Sequence, residues 1–153
     1  MRQQQVKPMF TCTYLFIKYR NMEFHRNRPT TRRPEGGRVL DAPFVLIDTH
    51  SVEDILNAER EREKRDKFGY TVFKSADLAI VLIQLQKGGR ICPGETNGTL
   101  VFQPLKGKIE ISIQEQKLWL EPNQLLTVTP NLFCEVVALQ DSEFYLFNAM
   151  SWK

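Results

Sequence analysis

Lys108-Ile109-Glu110-Ile111-Ser112-Ile113-Gln114 decides the fold. Its apolar residues recur every second position, so the isoleucines share one face of an extended strand and the polar residues share the other. Immediately upstream, Leu105-Lys106-Gly107 predicts a turn, because a connection between two strands needs a residue that tolerates positive φ. Downstream, a tight turn at Glu115-Gln116 leads into a second strand, Lys117–Glu121. Working outward, Thr99–Pro104 reads as a strand entered through Asn97-Gly98, a strong tight-turn signal. Leu78–Gln86 is apolar enough to be covered on both faces. Tyr70–Lys74, Leu125–Thr129, Glu135–Leu139 and Glu143–Asn148 complete eight short strands with turn signals between them. That pattern predicts a mainly β chain folded as a sandwich or barrel.

Before the strands the period changes. Phe44–Asp48 reads as a short strand, and Ser51 with Asp54 resembles a capping box that opens a helix over residues 52–64. The apolar residues Val52, Ile55 and Leu56 occupy only its first turn and a half. The stretch Glu59-Arg60-Glu61-Arg62-Glu63-Lys64-Arg65-Asp66 alternates in sign, which predicts a solvated face held by i,i+4 pairs. Residues 22–43 are rich in Arg, Pro and Gly and read as a basic arm. A strap along the barrel or a neighbouring subunit is preferred to a tail for an acidic partner. Residues 1–21 read as a poorly ordered extension, with Met22 as an alternative start. Their apolar patch, Phe10–Ile17, is interrupted by Thr11 and Thr13 and runs into Lys18, Tyr19 and Arg20, unlike a signal peptide. Residues 44–153 are expected to form one domain.

The chain has 153 residues, 42% hydrophobic and 25% charged, as an ordinary globular domain does. No apolar run approaches the roughly 20 residues that span a bilayer, so no membrane partner is expected. Cys12, Cys92 and Cys134 are odd in number and far apart, which points to a reducing, cytoplasmic setting. Residues 1–41 hold nine Lys/Arg against three Asp/Glu, and residues 42–153 hold twelve against fifteen. The basic excess therefore sits in the leading segment, and a barrel of this charge is not expected to bind nucleic acid.

From Tyr70 to Asn148 the chain resembles a cupin, and the strand and helix before it resemble the lead-in of small single-domain bacterial cupins. The family's first motif begins and ends on Gly, and Gly88 and Gly107 stand at that separation. Gly94 and Thr96 fall where its two histidines would be, and Leu100 falls at its Glu. Counting the second motif from Asn123 puts Thr129 at its Pro, Asn131 at its Gly, Cys134 at its His and Ala138 at its Asn. The resemblance implies an antiparallel β-barrel of jelly-roll type with one short N-terminal helix, and a homodimer. It also implies that the usual metal ligands are replaced. Imidazole and carboxylate suit the iron, manganese, nickel and zinc of cupin enzymes, whereas Gly, Thr and Leu offer no donor of that kind. His25 and His50, the only histidines, precede the motif strands.

No cofactor is expected, and the expected function is a non-catalytic small-molecule-binding or interaction module. Glu95, Gln103, Cys92 and Cys134 are the candidate ligand-binding residues, near the mouth or interior of the barrel. Gln103 is expected to point inward as a ligand-orienting amide. One alternative is a metal-independent isomerase with Glu95 as base, which would require burial of that carboxylate. Another is a thiol sensor through Cys134, which would require a nearby cation to activate the sulfur.

Overall fold

In the computed structural model the alternating isoleucines form a strand as their period requires, with Ile109 and Ile111 fully buried. The structure describes residues 39–150 continuously and, before them, residues 25–26, 28–29, 31 and 33. The elements are β1 (His25–Arg26), β2 (Val39–Asp41), α1 (Thr49–Arg62), β3 (Lys67–Lys74), β4 (Leu78–Leu85) and β5 (Arg90–Ile91). They continue as β6 (Gly98–Lys106), β7 (Ile109–Ile113), β8 (Gln116–Leu120), β9 (Leu126–Val128), β10 (Cys134–Ala138) and β11 (Ser142–Met150). The extension expected over residues 1–21 lies outside the described residues.

Two antiparallel sheets carry the body, one in the order β5-β10-β7-β8 and the other β3-β4-β11-β6-β9. The chain crosses between them repeatedly: β4 to β5, β5 to β6, β6 to β7, β8 to β9, β9 to β10 and β10 to β11. That alternation is jelly-roll connectivity. The inner faces meet in one core that includes Leu85, Leu100, Phe102, Ile109, Ile111, Cys134, Val136 and Phe144. Phe102 and Phe144 pack ring to ring with centroids 6.4 Å apart. The outer face of the five-stranded sheet carries a second cluster, in which Val52 and Leu56 of α1 cover Phe68, Val72 and Leu82. A polar layer joins the same surfaces. Gln84 Nε2 donates to Asn57 Oδ1 at 3.0 Å and to Glu143 Oε2 at 2.7 Å, and Lys106 Nζ donates to Glu53 Oε2 at 3.0 Å.

Several local expectations need correction. Residues 44–48 join no sheet among the described residues; Ile47 packs towards α1, while Leu46 is 98% exposed. The alternation there reflects one side lying on the body, without a neighbouring strand edge to pair with. The helix starts earlier than residue 52, because Asp48 is its N-cap: Oδ1 accepts from His50 N at 3.1 Å and Ser51 Oγ donates to Oδ2 at 2.7 Å. Those bonds hold the Asp48 carboxyl below its ordinary range. Strand β3 starts at Lys67, with Gly69 inside it. Gly98 opens β6 and is required for closeness: a Cβ there would lie inside contact distance of Asn148 Oδ1 and 2.9 Å from Ala149 C. The charged run is not merely a solvated face held by its own i,i+4 pairs. Glu59 is 3% exposed and pairs with Arg33, and Arg60 pairs with Asp141.

Gly107 does turn with φ +76°, and a Cβ would also stand 2.8 Å from Ser142 Cα. Gly88 has φ +84° and open space around it. Gly107→Ala should therefore cost about 2–3 kcal/mol, whereas Gly88→Ala carries only the backbone penalty of roughly 1 kcal/mol. Urea unfolding of the two variants measures this, and equal losses would remove the close-contact argument for Gly107.

Candidate functional site

The positions that hold ions in the family pattern do not converge on a donor set here. Gly94 has no side chain and turns with φ +71°. Thr96 Oγ1 donates to Gly98 O at 2.8 Å. Leu100, 2% exposed, and Cys134, 0% exposed, lie in the sheet-to-sheet core among hydrocarbon side chains. Among the described residues no group of three His, Cys, Asp or Glu side chains is placed to share an ion. His50 lies in the first turn of α1, away from the strands that carry the motif positions. One thiol in an apolar core does not fit an iron, manganese, nickel or zinc centre of the cupin kind.

The structure separates most of the residues singled out in the sequence. Gln103 does not point inward. Strand β6 alternates with Leu100, Phe102 and Pro104 buried, and Gln103 pairs with Tyr145, which packs with the cluster beneath α1. Its side chain therefore belongs to the outer face of the sheet. The apolar alternation Leu100-x-Phe102 carried that parity in the sequence. Glu95 is exposed in a turn, so the burial that a raised carboxylate needs is lacking. Only Cys92 and Cys134 come together, with Cys92 Sγ 3.6 Å from Cys134 O; both thiols are free.

Burial pushes the Cys134 thiol above its ordinary value, and the neighbouring Cys92 adds to the effect. Arg90, the cation nearest to Cys92 in sequence, pairs with Glu135 at 3.5 Å. The conditions for an activated thiolate are thus reversed at Cys134.

A cavity of about 400 Å³ opens elsewhere, at the seam where β3 and β4 of one sheet face β5 of the other. Among the described residues no ladder joins the two sheets along this edge. Val81, Ile83 and Ile91 supply its apolar floor, with Phe68 and Gly69 of β3 beside them. Its polar rim is Arg33, Glu59, Arg65 and Lys67. Arg33 grips Glu59 with both forks, Nε to Oε1 at 2.7 Å and Nη2 to Oε2 at 3.0 Å. The same guanidinium donates to Gly69 O at 3.0 Å and lies 4.4 Å from the centre of the Tyr70 ring. Arg65 lies 4.8 Å over the Phe68 ring and pairs with Glu63 at 2.7 Å. None of Gly94, Thr96, Leu100 and Cys134 lines this cavity. Its walls come from the arm, the helix, the following loop and three strands, so no single stretch of sequence announced it. A second hollow, beside α1, is lined by Asn57, Arg60, Glu61 and Gln86 and lacks an apolar floor.

In the folded protein, iodoacetamide at mildly alkaline pH should modify Cys92 and leave Cys134 until denaturant is added. Peptide mass mapping reads both sites, and comparable labelling rates would refute the sealed position of Cys134. Its raised thiol pKa also has a sign: the stabilisation is complete below about pH 8.5 and is lost as pH rises through the folded value.

No protein-family model matches the chain, and no curated protein matches its sequence. Solved structures do resemble it. A cupin superfamily protein from Desulfitobacterium hafniense is 17% identical, with TM-score 0.57, over 73% of this chain and 95% of that one. Salicylate 1,2-dioxygenase from Pseudoaminobacter salicylatoxidans is 14% identical, with TM-score 0.61, over 72% of this chain and 34% of that one. A cupin domain of a transcriptional regulator from Enterobacter cloacae is 12% identical, with TM-score 0.53, over 57% of this chain and all (100%) of that one. With the jelly-roll connectivity and the two glycine turns, these likenesses identify the fold of this chain as that of the cupins.

Proposed function

We propose that this protein is a non-catalytic small-molecule-binding module on the cupin fold, with its ligand in the seam cavity. The observation that carries the reading is the exchange of one space for another. The region between the sheets at the motif positions is filled by Leu100, Phe102, Cys134 and Phe144, whereas the seam offers an apolar floor under a polar rim. A volume of about 400 Å³ lies within the range of small-molecule sites, about 300–1,000 Å³. The isomerase alternative loses support because Glu95 is exposed and Gln103 lies on the outer face. The thiol-sensor alternative loses support from the buried, uncharged surroundings of Cys134.

The working form in this reading is a homodimer. It is supported by the exposed Trp119 and Leu118 on β8, which forms one edge of its sheet, and by exposed Leu125 and Phe133.

Gly69→Leu tests the binding reading directly. A Cβ at Gly69 meets only Val81 Cγ1 at 3.8 Å and Leu82 O at 3.9 Å, so a side chain enters the cavity without a clash at its base. A thermal-shift screen of small metabolites should give compounds that raise the melting temperature of the native chain by several degrees and leave Gly69→Leu unmoved. A screen in which nothing shifts the native chain, or in which hits shift both proteins equally, would end the proposal.

A further inference from the structure

Charge on the rim of the seam cavity is unequally paired. Glu59 is its acidic lining residue, and both carboxylate oxygens are held by Arg33. Arg65 engages Glu63 through Nη2, while its Nε is buried without a hydrogen-bond partner among the described residues. Lys67 lines the cavity with no carboxylate within 4.0 Å among the described residues. Two donors, Arg65 Nε and Lys67 Nζ, therefore remain over a floor of Val81, Ile83 and Ile91. A buried donor left without an acceptor is costly, and a negatively charged oxygen is its strongest partner. The floor favours displacement of its water by a hydrocarbon or aromatic body.

We infer that the seam cavity takes a small organic anion with an apolar body, an aryl or branched aliphatic monocarboxylate. Its carboxylate meets Arg65 and Lys67, and its body lies on Val81, Ile83 and Ile91. This rests on the binding reading above and adds to it the sign of the ligand and its orientation. Arg33 serves the site by neutralising Glu59, which would otherwise repel the incoming carboxylate.

Phenylacetate and its uncharged isostere phenylacetamide separate the two levels. In methyl-resolved NMR titrations of the full chain, phenylacetate should shift the methyl signals of Val81, Ile83 and Ile91, and phenylacetamide should bind at least tenfold more weakly. Lys67→Gln should weaken phenylacetate about threefold to tenfold and leave phenylacetamide unchanged, since only the charged probe gains from an ammonium. Arg65→Gln should act in the same direction. Inorganic phosphate alone, which has no apolar body, should not move the three sets of methyl signals. Equal binding of the two probes at these methyls would overturn the anion inference and leave small-molecule binding standing. Phosphate binding there as well as phenylacetate would overturn the requirement for an apolar body. Shifts confined to other methyls, or no shift with either organic probe at 10-millimolar order, would overturn the site itself.

Discussion

Face-to-face packing of two sheets through Phe102 and Phe144 is the contact on which the rest of this structure depends. Phe102 lies on β6 and Phe144 on β11, which are neighbours in the five-stranded sheet, and their rings reach the residues of β7 and β10 opposite. Strand β11 is held on both sides, by β4 and by β6. Side chains from distant parts of the chain thereby meet in one layer, and burial of each large apolar side chain contributes about 1.5–3 kcal/mol. The same layer includes Leu100 and Cys134, two of the positions at which the sequence resemblance expected metal-ligand replacements.

The outer face of the five-stranded sheet is organised differently. Helix α1 covers Leu82 and Phe68 with Val52 and Leu56, and the next residue on that stripe is Glu59. A carboxylate at that depth requires a cation, and Arg33 supplies one from the arm. Further along, Gln84, Asn57, Glu143, Lys106 and Glu53 form a polar layer between helix and sheet. Burial and the nearby Glu143 and Glu53 push the Tyr145 hydroxyl above its ordinary value, which keeps it protonated beside these acids.

The strands were legible because their signal is local: Ile109, Ile111 and Ile113 reveal their face through spacing alone. Gly107 was legible for the same reason, since a turn is a property of a few adjacent residues. What escaped was set by neighbours remote in sequence. Gly98 looked like a turn residue, and its real constraint is the backbone of Ala149. Glu59 looked solvated, and its partner lies in the arm. Ser51 looked like the helix cap, and the Asp48 carboxylate holds that place instead, accepting from His50 N and from Ser51 Oγ. The candidate site was the least legible part. Cys92 and Cys134 do meet, but Gln103 was assigned the wrong side of its strand, and the seam cavity draws on segments that only folding brings together.

The forked bond between Arg33 and Glu59 ties that arginine to the body, although the sequence around it has the composition of a tether. A shortened chain beginning after this arginine would keep every strand of both sheets and still strand a carboxylate in a nearly dry position. Leaving such a charge uncompensated costs about 3 kcal/mol or more. Trimming the protein to its rolled sheets would therefore remove the counter-ion of Glu59.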